Sequence, residues 1–354
     1  MRAALSELLG IDAPILLGPF GGLSSVELTA TVSNAGGLGS YGLYGYEPDR
    51  ISDTIAALRS ATSRPFAVNL WLPTGDEIHP ADVDLTAATA AAAPLFAELG
   101  LDLPTPPVEF LPDIDGQLTA VLDAAPAVLS VVFGVPSAHL VEAAHSRGIR
   151  LIGTATTVAE AQALEAAGVD AVVASGAEAG GHRVSFLQAA ALSLVGTFAL
   201  VPQIVDAVAI PVIAAGGIAD RRGVAAAFAL GASGVQVGTA FLRTRQSAAS
   251  EAHREEIGRA RDTTTTLTRA MSGRWARGIP NHASRVLEAG AAIAPFPAQN
   301  WLTGRFRAEA ARRGDARFAS LWAGQAAGLT RHADAVDVFA ELLTGLPASV
   351  RQDE

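Results

Sequence analysis

The chain has 354 residues, 25 of them basic and 35 acidic, for a net charge of -10, which argues against nucleic acid or an anionic membrane surface as the main partner. Half the residues are hydrophobic and 17% are charged, fewer charges than the roughly 25% of an average globular domain, so a large buried core is expected. There is no cysteine and no lysine, which removes disulfides, thiolate metal sites, thiol nucleophiles, Schiff-base chemistry and the P-loop lysine.

Residues 1–18 are interrupted by Glu7 and Asp12 and lack a basic start followed by an apolar run, so they do not read as a signal peptide. A cytoplasmic protein is expected. Short β-branched runs then alternate with Ala-rich helical segments. Candidate strands cover 14–18, 38–42, 66–72, 128–134, 150–155, 171–176, 211–217 and 234–240. Most are apolar throughout, as parallel strands buried on both faces require. The segments 137–147, 157–167 and 220–230 have helical apolar spacing, open on Ser137, Thr157 or Asp220, and close at Gly148, Gly168 or Gly231, the residues that cap and stop helices. Residues 184–205 carry no charge; with Gln188, Pro202 and Gln203 inside, they read as a buried loop and helix start rather than a membrane span.

Eight strand-helix units within about 240 residues point to an α/β fold, a (β/α)8 TIM barrel, with an open doubly wound sheet as the alternative. The barrel is placed at 1–245, with 331–354 packing back on it. The Arg-, Thr- and Gly-rich stretch 246–330 reads as an added C-terminal helical cap, and the long connection 73–127 covers an edge of the barrel mouth.

In such barrels the active site lies at the C-terminal strand ends, with phosphate on the last two loops. Those loops read Ala214-Ala215-Gly216-Gly217-Ile218 and Gln236-Val237-Gly238-Thr239-Ala240. Glycines let backbone N–H groups approach phosphate oxygens without a Cβ in the way; the plainer reading is that they only permit tight turns. After the sixth strand comes Ser175-Gly176-Ala177-Glu178-Ala179-Gly180-Gly181-His182-Arg183. A lone histidine is usually structural, but one set past two glycines at a catalytic strand end, with a pKa near its ordinary value, is suited to move protons at neutral pH. His79, His139, His145, His253, His282 and His332 lack such a setting, and no pair has zinc-motif spacing, so no metal is expected.

Taken together these segments resemble the nitronate monooxygenase family, the former 2-nitropropane dioxygenases, which are FMN-dependent TIM-barrel enzymes. The resemblance runs through Ala13-Pro14-Ile15, Ser33-Asn34-Ala35-Gly36-Gly37-Leu38-Gly39, Arg64-Pro65-Phe66-Ala67-Val68-Asn69-Leu70, the histidine loop, both glycine loops, Ser272-Gly273-Arg274 and Leu321-Trp322-Ala323-Gly324-Gln325. It implies that Asn69 and Ser175 meet the flavin ring, with Gly180 and Gly181 passing close to it. It also implies that Gly216, Gly217, Gln236, Val237, Gly238 and Thr239 hold the ribityl phosphate, and that His182 is the catalytic base or a hydrogen-bond donor to a nitronate. The implied reaction uses O2 to turn an alkyl nitronate or nitroalkane into a carbonyl compound and nitrite.

The chain departs from the family pattern at Ser175, where glutamine is common, and at Phe20, where methionine is common. The cap tyrosines and lysine expected around the substrate are missing as well: the tyrosines are Tyr41, Tyr44 and Tyr46. Phe20, Arg183 and Arg274 are therefore the candidate substrate contacts, with Arg277 a further replacement cation and Trp275 and Trp301 candidate pocket floors. An NAD(P)H-dependent flavin reductase of the quinone or enoyl reductase type is the alternative activity, and a flavin-binding protein without turnover is a third. A monomer or homodimer is expected.

Overall fold

A computed structural model describes residues 5–350; residues 1–4 and 351–354, the outer parts of two segments discussed above, lie outside the described residues. Eight parallel strands form the barrel: β1 (Ile15–Leu17), β2 (Gly39–Gly42), β3 (Phe66–Trp71), β4 (Val128–Val132), β5 (Arg150–Ala155), β6 (Ala171–Ser175), β7 (Val212–Ala215) and β8 (Gly234–Val237). Each pairs with its sequence neighbour from β2 to β8, β8 pairs with β1, and a parallel bridge from Leu16 to Leu38 closes the ring.

Alternation along each strand divides the side chains between two cores. Ile15, Leu17, Val68, Leu70, Val131, Val172 and Val235 face the surrounding helices, whose Leu28, Ile55, Leu164 and Ile204 complete that layer. The opposite parity fills the barrel with Leu16, Ala67, Val128, Ile152, Val173 and Ile213, and Leu5 and Leu9 of helix Leu5–Leu9 plug its lower end. The helices start where capping chemistry places them: Ser137, Thr157 and Asp220 accept from the N–H groups of Leu140, Glu160 and Arg222.

Two expectations change. All but β2 and β5 end earlier than their apolar runs suggest. At β7 the chain leaves the ladder because Gly216 and Gly217 take φ +100° and +73°, and after β8 it turns into the short helix Thr239–Leu242. The loop part of the uncharged stretch 184–205 is not buried, for Leu187 is 54% and Leu192 74% exposed, while the helix start expected in it is found at Thr197–Ala207, with Leu200, Val201 and Ile204 buried. The loop is anchored from below by the buried carboxylate of Glu160, which accepts from the N–H groups of Phe186 and Leu187. No helix among the described residues is long and apolar enough to cross a membrane.

A second hydrophobic core lies outside the barrel. Ala92, Leu95 and Phe96 of helix Thr86–Glu98, in the connection after β3, pack with Leu287 of helix His282–Ala289 and Leu302 and Phe306 of helix Ala298–Arg313. Helix Ala335–Leu343 returns to the barrel, where its Phe339 touches Gly37.

Candidate active site

The strand parity that fills the barrel with aliphatic residues turns polar near its C-terminal end. Asn69, Ser130, Thr154, Ser175 and Gln236 occupy inward positions two residues beyond aliphatic or small ones on β3, β4, β5, β6 and β8. Above them lies a cavity of about 400 Å³ walled by the strand-end loops and the cap segment. Phe20, Asn69, Ser175, Gly180, Gly181, His182, Gly216, Gly217, Gln236, Gly238 and Thr239 all face it, so the structure gathers most of the sequence candidates. Val237 does not line it; its side chain is buried in the layer between the strands and the surrounding helices.

The wall suits a planar, phosphorylated ligand. Asn69 spends its amide N–H groups on Ser130, at 2.7 Å to Oγ and 3.2 Å to the carbonyl, which leaves its own oxygen to accept from a ring N–H. At the other end, the backbone N–H groups of Gly217 and Gly238 have no protein acceptor among the described residues, an arrangement that receives phosphate oxygens. Thr239 Oγ accepts from Gly324 N at 2.9 Å, tying this loop to the cap segment. Glu178, which sequence reasoning passed over, directs its carboxylate to Thr197 N and Oγ and so occupies the start of helix Thr197–Ala207. The Gly180 position is dictated by a chain crossing: a Cβ there would lie 2.6 Å from the backbone of Ala323 and Gly324.

His182 sits on the two-residue strand Gly181–His182, which pairs antiparallel with Ala276–Gly278. Its ring packs among Trp71, Trp322 and Phe133, at centroid distances of 4.9, 5.4 and 6.4 Å. Its Nε2 lies 2.8 Å from Ser272 Oγ. The expectation of an ordinary imidazole pKa is corrected: burial, reinforced by the charges of Arg274 and Arg307, pushes it down to about 3. The ring is neutral at physiological pH.

The candidate cations separate. Arg183 is 2% exposed and faces away from the cavity, donating to the carbonyls of Gly176 and Ser175 at 2.6 and 2.9 Å; it braces the loop and is not a substrate contact. Arg277 braces the same loop through the Ala177 carbonyl at 2.9 Å. Arg274 stacks over Phe296 and Phe133 at 4.0 and 4.6 Å and reaches Thr74, Asp76 and Glu77, so carboxylates already match its charge. Burial alone would raise the Glu77 pKa, but hydrogen bonds from Thr74 and Arg274 hold it at about 2.

The cation on the cavity wall is Arg307, from helix Ala298–Arg313. It hydrogen-bonds the Asn300 carbonyl and Oδ1 at 2.9 and 2.7 Å and Ser320 Oγ at 3.1 Å, forms no ion pair with a carboxylate among the described residues, and leaves its Nε without a partner. Burial lowers its pKa to about 10, so it stays charged. Beside it Tyr44 accepts from Asn300 Nδ2 at 3.0 Å, keeping its own proton to donate, and burial pushes it up to about 12. Sequence reasoning missed Arg307 and Asn300 because no local motif marks them. Trp275 and Trp301, candidate pocket floors, do not line the cavity; Trp71 and Trp322 do.

His253 supports this wall from behind. It is buried, with Nε2 3.1 Å from the Trp322 carbonyl, and burial pulls its pKa down to about 4. Because the folded-state pKa is depressed, the stability from keeping this ring neutral is present above the unfolded value of about 6.5 and is lost as pH falls toward 4. Chemical denaturation of the wild type and of His253→Gln should diverge in this window, with the wild type losing on the order of 3 kcal/mol more between pH 7 and 4. Parallel pH profiles would remove His253 as the cause.

Residues 2–345 match the family model for nitronate monooxygenase. A probable nitronate monooxygenase of Staphylococcus saprophyticus is 40% identical over 338 residues, 95% of each chain, and that of Staphylococcus aureus strain Newman is 40% identical over 323 residues, 91% of this chain and 90% of the relative. Among solved structures, nitroalkane oxidase from Streptomyces ansochromogenes superposes with a TM-score of 0.87 at 36% identity over 99% of both chains. FabK from Thermotoga maritima follows at 0.75 and 30% identity, covering 97% of this chain and 95% of that one. With a full-length family match joined to a closed barrel whose mouth gathers His182, the glycine loops and Asn69, the chain belongs to the nitronate monooxygenase family of oxidoreductases.

Proposed function

We propose that the protein catalyses FMN-dependent oxidation of an alkyl nitronate by O2 to a carbonyl compound and nitrite, the nitronate entering as such or forming in the site from a neutral nitroalkane. The observation that carries this reading is Arg307: a guanidinium on the cavity wall with no carboxylate partner among the described residues, facing the same cavity as a neutral imidazole. A desolvated cation without a counterion favours an anionic ligand, and a nitronate brings that charge. Bound FMN would accept electrons from the nitronate and pass them to O2. Asn69, Ser175 and Gln236 would meet its ring, and Gly217, Gly238 and Thr239 its phosphate. Arg307 and the Tyr44 hydroxyl hold the nitro oxygens, His182 handles the proton of a neutral substrate, and Trp71 and Trp322 exclude water. Phe20 shapes the wall, and Arg274, which does not line this cavity, fastens the 272–274 turn to the loop after β3.

The similarity to FabK keeps the reductase alternative specific enough to test. Under anaerobic conditions a small alkyl nitronate should bleach the visible band of the FMN-loaded protein within the mixing time, and NADH should leave it unchanged. Bleaching by NADH and not by nitronate would put the reductase first.

A further inference from the structure

We propose that Ser272 locks His182 in the tautomer that carries its proton on Nε2, so that Nδ1 is the nitrogen that removes the proton from a neutral nitroalkane. The proposal rests on the reading that His182 acts on a nitro substrate, and it adds which atom does so and what holds it. A serine hydroxyl has one proton to give and two lone pairs. Ser272 Oγ lies 3.1 Å from the Arg274 carbonyl, 3.3 Å from the Arg274 N–H and 2.8 Å from His182 Nε2. The Arg274 carbonyl can only accept and has no other donor among the described residues, so we assign the single proton there, the one arrangement that satisfies all three groups. Both lone pairs then receive: one the Arg274 N–H, the other a hydrogen from His182, which must sit on Nε2. The neutral ring has one proton, so Nδ1 keeps its lone pair. Nδ1 has no hydrogen-bond partner among the described residues and is not sealed from the cavity that His182 lines.

The 272–274 turn is itself clamped. Arg274 is gripped by Thr74, Asp76 and Glu77 from the loop after β3 and sandwiched over Phe133 and Phe296, which holds the backbone groups that orient the serine. The groups facing His182 are thus the two cations Arg274 and Arg307 and the aromatic rings, with the carboxylates held on the far side of Arg274. In the proton transfer the substrate C–H bond breaks, its proton bonds to Nδ1, and the electron pair moves into the nitro group. A cationic ring and a nitronate beside Arg307 result, and that anion offsets the two arginine charges that disfavour protonation of the ring. A ring whose Nδ1 lone pair faces the substrate accepts a proton but gives no hydrogen bond from that atom, which separates the base role from that of a donor to nitronate oxygens.

The test is a long-range 1H–15N correlation spectrum of the FMN-loaded, oxidised protein labelled with 15N-histidine, the His182 signals being those lost in His182→Asn. At neutral pH the wild type should show a protonated Nε2 and an unprotonated Nδ1. In Ser272→Ala the proton should redistribute toward Nδ1, with kcat/KM for a neutral nitroalkane falling roughly fivefold to tenfold, as expected for loss of one orienting hydrogen bond, and that for a nitronate unchanged. Ser272→Thr, which keeps the hydroxyl, should restore both. A proton on Nδ1 in the wild type, or an unchanged tautomer in Ser272→Ala, would overturn the proposal. If the spectra behave as stated and no nitro compound is oxidised, the functional reading fails and the Nε2–H assignment stands.

Discussion

Replacing His182 with asparagine should abolish turnover of neutral nitroalkanes while sparing most of the activity on nitronates prepared in advance by base. Asparagine roughly preserves the size and polarity of the side chain among Trp71, Trp322 and Phe133, yet its amide does not accept a proton from carbon. A positioned base is worth about 10² to 10⁴ in rate, and only the neutral substrate needs it. Steady-state kcat/KM for nitroethane and for ethyl nitronate, measured side by side on the same preparation, reads the difference. Equal losses on both would remove His182 as the base and leave it a binding group.

Arg307→Met should have the complementary signature. With the guanidinium gone, kcat/KM for a nitronate should fall by about a hundredfold, the scale of losing a charge-assisted contact in a desolvated site. The neutral substrate should suffer too, because the charge that develops on its nitro group is the one Arg307 receives. Stability should not follow. Among the described residues Arg307 has no carboxylate partner and its Nε is unpaired, so folding already bears the cost of burying this charge. A methionine of similar length fills the space without that cost, and the melting temperature should hold or rise. Site residues carry such penalties because function selects them, and removing them trades activity for stability. Unchanged kinetics with a lower melting temperature would recast Arg307 as a structural strut.

The two arginine roles illustrate where local sequence stops informing. Arg183, next to His182 in sequence, looks like the natural substrate cation. Along extended chain, however, neighbouring side chains point to opposite faces, and His182, which ends its strand, and Arg183 just beyond it divide accordingly: the ring enters the cavity and the guanidinium turns back under the loop to the Ser175 and Gly176 carbonyls. The cation that does face the cavity lies well over a hundred residues along the chain, on a helix with no distinguishing motif.

What the sequence alone determined is the part of the protein governed by short-range rules. Eight apolar runs set eight parallel strands, because burial on both faces leaves an unambiguous pattern. Ser137, Thr157 and Asp220 set helix starts because a capping side chain acts over three residues or fewer. The paired glycines after β7 marked a sharp turn at that strand end, since the positive φ of Gly216 and Gly217 is a property of the residue itself. What only the tertiary structure decided is whatever depends on segments distant in sequence meeting in space: the cap contacts between helix Thr86–Glu98 and helices His282–Ala289 and Ala298–Arg313, the depressed pKa of His182, its hydrogen bond to Ser272 ninety residues away, and the pairing of Tyr44 with Asn300. Desolvation and Coulomb fields sum over everything packed around a group, and one chain read linearly does not say which residues those are.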